Sequence, residues 1–151
     1  MCLKWFIDKK DILKRHLICK KIKASMIDNI LEELFGDKCV IMVVDRYKWA
    51  TSLDNIKDFL EYDDTDELDY RSEKFDCDNF AFRLLGQFNV HEWSKIPIGI
   101  VFVQLPDGGY HAMNICIDED LVVYIIEPQS DKIRKASDML KEGYKAYFVL
   151  M

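Results

Sequence analysis

Residues 110–128 read YHAMNICIDEDLVVYIIEP. Two runs rich in β-branched and aromatic residues, 111–117 and 121–127, flank the acidic triplet Asp118-Glu119-Asp120. That pattern predicts a β-hairpin. A turn signal, Pro106-Asp107-Gly108-Gly109, separates the hairpin from an earlier run at 98–103, and 146–150 supplies another. The spacing upstream is helical. Phe80, Ala81, Leu84, Leu85 and Phe88 define one face of a helix that starts at Cys77 and stops near Gly86. Residues 9–35 read as two helical pieces, the first basic and amphipathic, the second ending at Gly36. Val40 to Val44 is a short β-rich run, and Ser52 caps a helix through Leu60. Helices followed by a meander of strands predict an α+β fold with an antiparallel sheet. A single domain is expected over 1–151, with 1–50 as a helical extension and 51–151 as the core.

The hairpin also places chemistry. A three-residue loop, 118–120, pairs Ile117 with Leu121 and sets His111 opposite Glu127. Residues directly opposite share a face, with Cβ atoms about 4.5–5.5 Å apart. A carboxylate there accepts the imidazole N–H and fixes its tautomer. Cys77 follows Asp76, a strong N-cap residue, so its sulfur faces unpaired N–H groups and the positive end of a helix dipole. That setting favours a thiolate and supplies donors for an oxyanion. Asp76 and Asp78 flank the sulfur with opposing negative charge. His16 and His91 lie off any expected strand. The expected catalytic set is Cys77 as nucleophile, His111 as base and Glu127 as orienter, with Asp76 and Asp78 at the oxyanion end.

Composition limits the partners. The chain has 151 residues and a net charge of -6, so it lacks the basic surface that nucleic acid or an anionic membrane demands. Half the residues are hydrophobic, yet no apolar run is long enough for a membrane span. The apolar patch from Cys2 to Ile7 precedes its charges, the reverse of a signal peptide, and a cytoplasmic location is expected. Five cysteines without a Cys-x-x-Cys spacing argue against a disulfide framework or a zinc site. The acidic stretch containing Asp63, Asp64 and Asp66 offers hard oxygen ligands suited to Ca²⁺, without the glycine of a calcium loop.

Asp76-Cys77-Asp78-Asn79-Phe80-Ala81, Tyr110-His111-Ala112 and Glu127-Pro128-Gln129 together resemble the papain-like and transglutaminase-like cysteine superfamily. The likeness is nearest to the C-terminal protease domain of the fairy-ring mushroom agglutinin and related small phage and prokaryotic proteins. It covers roughly residues 53–133, with 34 residues from Cys77 to His111 and 16 more to Glu127. The resemblance implies a papain-like core, peptide-bond hydrolysis through an acyl-enzyme and a peptide or protein substrate. It also implies calcium dependence, with Asp78 and Gln129 contributing to the metal site. It does not imply lectin activity. Arg71 stands where papain-type enzymes place an oxyanion-hole glutamine. Alternatives are a cell-wall amidohydrolase of the NlpC/P60 type, an amine acyltransferase, or a non-catalytic binding module on the same fold.

Overall fold

The protein was analysed as a computed structural model describing residues 9–151. The N-terminal patch from Cys2 to Ile7 lies outside the described residues. Among the described residues, five α-helices, α1 (Lys9–Leu13), α2 (Ala24–Phe35), α3 (Leu53–Tyr62), α4 (Cys77–Phe88) and α5 (Ala136–Lys141), surround the strands. The main sheet has six strands in the order β2-β8-β4-β5-β6-β7. These are β2 (Val40–Met42), β4 (Ile98–Gln104), β5 (Tyr110–Ile117), β6 (Val123–Glu127), β7 (Lys132–Lys135) and β8 (Lys145–Leu150). A separate ribbon joins β1 (Lys20–Lys23) to β3 (Tyr47–Ala50).

Side chains of a strand alternate between faces, and both faces of this sheet are covered. On one face, Ile27 and Leu31 of α2 and Met139 near the end of α5 pack with Val101, Met113, Ile115 and Ile125. On the other, Phe59 of α3 and Leu84 and Phe88 of α4 meet Trp93, Ile98, Cys116 and Ile126. Ala81, Ile100 and Ala112 close that layer beside Cys77. This explains why 112–117 reads as one apolar run: every residue of it is buried. Asn114 is the polar exception. Its Nδ2 donates to Ala81 O at 2.9 Å and to Gly99 O at 3.1 Å, tying α4 to the sheet. Among the described residues, no helix is long and apolar enough to cross a membrane.

The structure departs from the antiparallel expectation. β2 pairs β8 in parallel, so the sheet is mixed. Residues 9–50 are not a helical extension. They supply three strands, and β2 forms an edge of the main sheet. The expected basic helix over 9–23 ends at Leu13, and 20–23 is a strand. Its lone buried residue, Ile22, sits among exposed lysines. What holds the ribbon is pairing with β3 and the Lys21 ammonium over the Tyr47 ring at 4.1 Å. β7 has no hydrophobic alternation to announce it; its lysines suit an edge strand.

Candidate functional site

His111 opens β5 and Glu127 closes β6. Ile117 lies opposite Val123, so the loop is five residues, 118–122, rather than three. Asp118 builds this loop: its Oδ1 accepts from the backbone N–H of Asp120 at 3.1 Å and of Val122 at 2.9 Å. The register therefore slips by two from the expected one. An even slip keeps every side chain on its own face. Glu127 becomes a diagonal neighbour of His111, and the long carboxylate arm closes the gap. His111 Nε2 and Glu127 Oε2 are 2.7 Å apart. The other carboxylate oxygen accepts from Gln129 N–H at 3.3 Å, which fixes the carboxylate plane. The pair shares a cavity of about 500 Å³ with Met113, Ile125, Lys132 and Arg134.

Cys77 is the first residue of α4, with Asp76 at the N-cap position. Asp76 N–H donates to Asn79 Oδ1 at 3.1 Å. The thiol is half-buried and packs against Ala81, Ile100 and Ala112. Ala112 faces α4, so its neighbour His111 points to the other side, toward Met113. Among the described residues, the imidazole's hydrogen bond goes to Glu127 and none joins it to the sulfur. The metal-capable atoms of Asp76, Cys77 and Asp78 lie within 4.8 Å of one another. Asp76's carboxyl sits above the usual carboxylate range, first because it shares a hydrogen bond with Asp78. Both acids thus crowd negative charge around the sulfur. Tyr147 meets Tyr110 edge-to-face at 5.7 Å, and burial, then the charges of Tyr110 and Cys77, push its phenol up.

The expected metal ligands divide into separate groups. Asp64 is paired with Arg83. Asp63 is 6% exposed, and its Oδ2 accepts Thr65 N–H at 2.9 Å. Asp63 Oδ1, Thr65 Oγ1 and Asp131 Oδ1 are buried without a hydrogen-bond partner. Burial, then the charges of Asp66 and Asp63, push the Asp131 carboxyl from 3.8 up to about 7. Sequence reasoning passed over Asp131 and Thr65. The only local signal is Asp131 in the turn after Glu127-Pro128, where it takes a φ of 56°.

Over residues 15–151 the chain matches the family described as the ricin-type beta-trefoil lectin C-terminal domain. It belongs to that family. No curated protein matches it. This lectin C-terminal domain shares its fold with a structure described as the PSL1a-E64 complex, at 22% identity and a TM-score of 0.74; the match covers 87% of this chain and 51% of that one. It is also similar to Polyporus squamosus lectin bound to the human-type influenza-binding epitope Neu5Acα2-6Galβ1-4GlcNAc. There the identity is 22%, the TM-score 0.71, and the coverage 87% of this chain and 49% of that one. The lectin C-terminal domain spans about half the length of those chains.

These findings correct the earlier expectations. The chain belongs to the ricin-type beta-trefoil lectin C-terminal domain family, not to the papain-like and transglutaminase-like superfamily, and one of the fold neighbours is described as a lectin. With that assignment go the papain-like core, the cysteine-peptidase activity and the peptide substrate. The alternative that stands is the binding module. The physical source of the misreading is visible. Short motifs around Cys77, His111 and Glu127 occur in the right order, yet the sheet sends Ala112 and His111 to opposite faces.

Proposed function

We propose that this chain is a non-catalytic binding module whose ligand is an acidic carbohydrate, held in the cavity between β5, β6 and β7. The carrying observation is the cavity's lining. The His111–Glu127 pair offers fixed hydrogen-bonding groups at one end, and Met113 and Ile125 give an apolar floor for the C–H face of a sugar ring. Lys132 makes no ion pair among the described residues and is free to meet a sugar carboxylate. The lectin neighbour described with a sialylated epitope supports this choice of chemistry.

Titration of the ¹⁵N-labelled chain with Neu5Acα2-6Galβ1-4GlcNAc is the test. Saturable shifts at the amides of His111, Glu127 and Lys132 are expected, with weaker ones from Galβ1-4GlcNAc. Glu127→Gln weakens binding by about tenfold, since a hydrogen bond to a charged group contributes roughly 1.5–3 kcal/mol. No shift with either sugar at millimolar concentration overturns the reading.

The thiol gives a second check. Iodoacetamide at neutral pH should alkylate Cys77 at the pace of an ordinary accessible thiol, and His111→Ala should leave that pace unchanged. Rapid labelling that disappears in His111→Ala would refute the non-catalytic assignment.

We further propose that Ca²⁺ binding draws Asp63, Thr65, Asp66 and Asp131 together, since their carboxylate oxygens do not already stand within one coordination shell. Three partnerless buried oxygens are costly without a cation, and hard oxygen donors suit calcium. The pH dependence follows from Asp131. The native state holds its proton up to about pH 7, whereas the ordinary carboxyl releases it near 3.8. Stability from this group is complete below the lower value and is lost as pH rises through the upper one. In chelator, urea midpoints should therefore fall between pH 4 and pH 8. Millimolar Ca²⁺ should restore the midpoint at pH 8, and Asp131→Asn should abolish both the fall and the calcium response. Midpoints indifferent to Ca²⁺ at pH 8 would exclude the site.

A further inference from the structure

A cavity of about 430 Å³ opens on the α4 side of the sheet, away from the His111–Glu127 pair. Phe82, Leu85, Ile96, Ile98 and Leu150 give it apolar walls. Three features set it apart from an ordinary surface hollow.

The first is a buried charge. Lys48 lines the cavity and is 5% exposed. An ammonium has three donors. Among the described residues, Lys48 reaches one side-chain acceptor, Asp45 Oδ2 at 3.1 Å. Asp45 itself is 69% exposed at its side chain, so solvent competes for its carboxylate. The buried ammonium keeps spare donors beside a largely apolar cavity, which is costly unless something accepts from them.

The second is a glycine without a local reason. Gly86 lies inside α4, where glycine costs roughly 1 kcal/mol relative to alanine. It is not among the positive-φ glycines. A Cβ built on it meets nothing within 4 Å. Neither backbone conformation nor close packing requires it. What the missing side chain does is leave the cavity open. The third is Phe82, one turn earlier on the same face, which is 51% exposed and forms the cavity's rim.

We propose that this cavity binds an amphipathic carboxylate, with its apolar tail among Phe82, Leu85, Ile96 and Ile98 and its head group accepting from Lys48. The charge selects the head: a carboxylate takes up donors that Asp45 leaves open, and an uncharged alcohol of equal length does so less well. The walls select the tail by area removed from water.

Octanoate and 1-octanol are the probes, added to the full chain and followed by calorimetry and amide shifts. Octanoate should bind saturably at one site, moving the amides of Gly86, Ser94 and Met151. 1-Octanol should bind at least about tenfold more weakly, and Lys48→Met should lose at least about tenfold in octanoate affinity. Gly86→Leu should abolish binding while leaving the thermal midpoint no lower than wild type, because the new side chain enters open space. If Lys48→Met does not fold, Gly86→Leu decides alone. Absence of saturable octanoate binding, equal binding of the alcohol, or undiminished binding in Gly86→Leu each overturns the proposal.

Discussion

Replacing Gly99 by alanine should destabilise the fold by at least about 3 kcal/mol, a large part of the 5–15 kcal/mol typical of a domain. Gly99 sits in β4 with β8 alongside. A Cβ there would lie 2.0 Å from Leu150 O and 2.8 Å from the Met151 Cα. Both are backbone atoms, so no side-chain rotation relieves the overlap. The end of β8 would have to move away, and that end is held from two directions. Ile100 pairs with Leu150 on one side, and Met151 N–H donates to Met42 O on the other at 2.9 Å. Relief at Gly99 therefore costs contacts in three strands. Gly86→Ala is the matched control: with open space at its Cβ, it should stabilise by about 0.5–1 kcal/mol. Urea denaturation of both variants checks the pair. A Gly99→Ala protein within 1 kcal/mol of wild type would mean that β8 is not seated against β4 as described.

Some of this architecture is legible from residue pattern. Ser52 announces its helix because a hydroxyl before an amphipathic run has one obvious task, and Ser52 Oγ accepts Asn55 N–H at 3.2 Å. Strands 98–104 and 110–117 are legible because they are central and buried on both faces, which leaves long apolar runs. Strands β1 and β7 are not, because each has a single apolar residue among lysines and arginines. Their strand state comes from neighbours far along the chain, not from local preference. The parallel β2–β8 pairing is invisible for the same reason. It joins residues about a hundred positions apart, and nothing in either segment encodes direction.

The site was legible in its parts and misleading in its assembly. The His111–Glu127 contact follows from hairpin parity, which survives a register error of two. That robustness explains why a wrong loop length still found the right pair. Attaching Cys77 to the pair required a further assumption, that α4 covers the face bearing His111. It covers the face bearing Ala112, one residue on. Alternation that protects one inference defeats the other. Asp131 was missed because its partners, Asp63 and Asp66, lie far upstream, and only folding exposes their shared shortage of donors.

Asn114→Ala should cost about 3 kcal/mol and loosen α4 ahead of the rest of the fold. The side chain is fully buried, and its amide bridges the helix carbonyl of Ala81 and the strand carbonyl of Gly99. Two buried hydrogen bonds at about 1 kcal/mol each, the two carbonyls left unpaired and the space vacated give that magnitude, net of the relief from removing Asn114 Oδ1, itself buried without a partner. The location of the bonds adds a sharper expectation than the total. Around Ala81 the fully buried layer between α4 and the sheet is only Ala81, Ile100 and Ala112, with Cys77, Leu85 and Phe102 half-buried at its margin. Small residues there contribute little apolar area, so the amide carries a disproportionate share of the attachment. Without it, amide exchange in the first turns of α4 should accelerate well beyond the global unfolding rate, and Cys77 should alkylate faster than in wild type. Strands β5 and β6, held by their own ladder and by α2 and α5 on the far face, should keep the His111–Glu127 pair and with it sugar binding. If exchange instead rises evenly across α4, β5 and β6, the helix and sheet open as one unit. The division of the molecule into a thiol face and a ligand face would then have no thermodynamic basis.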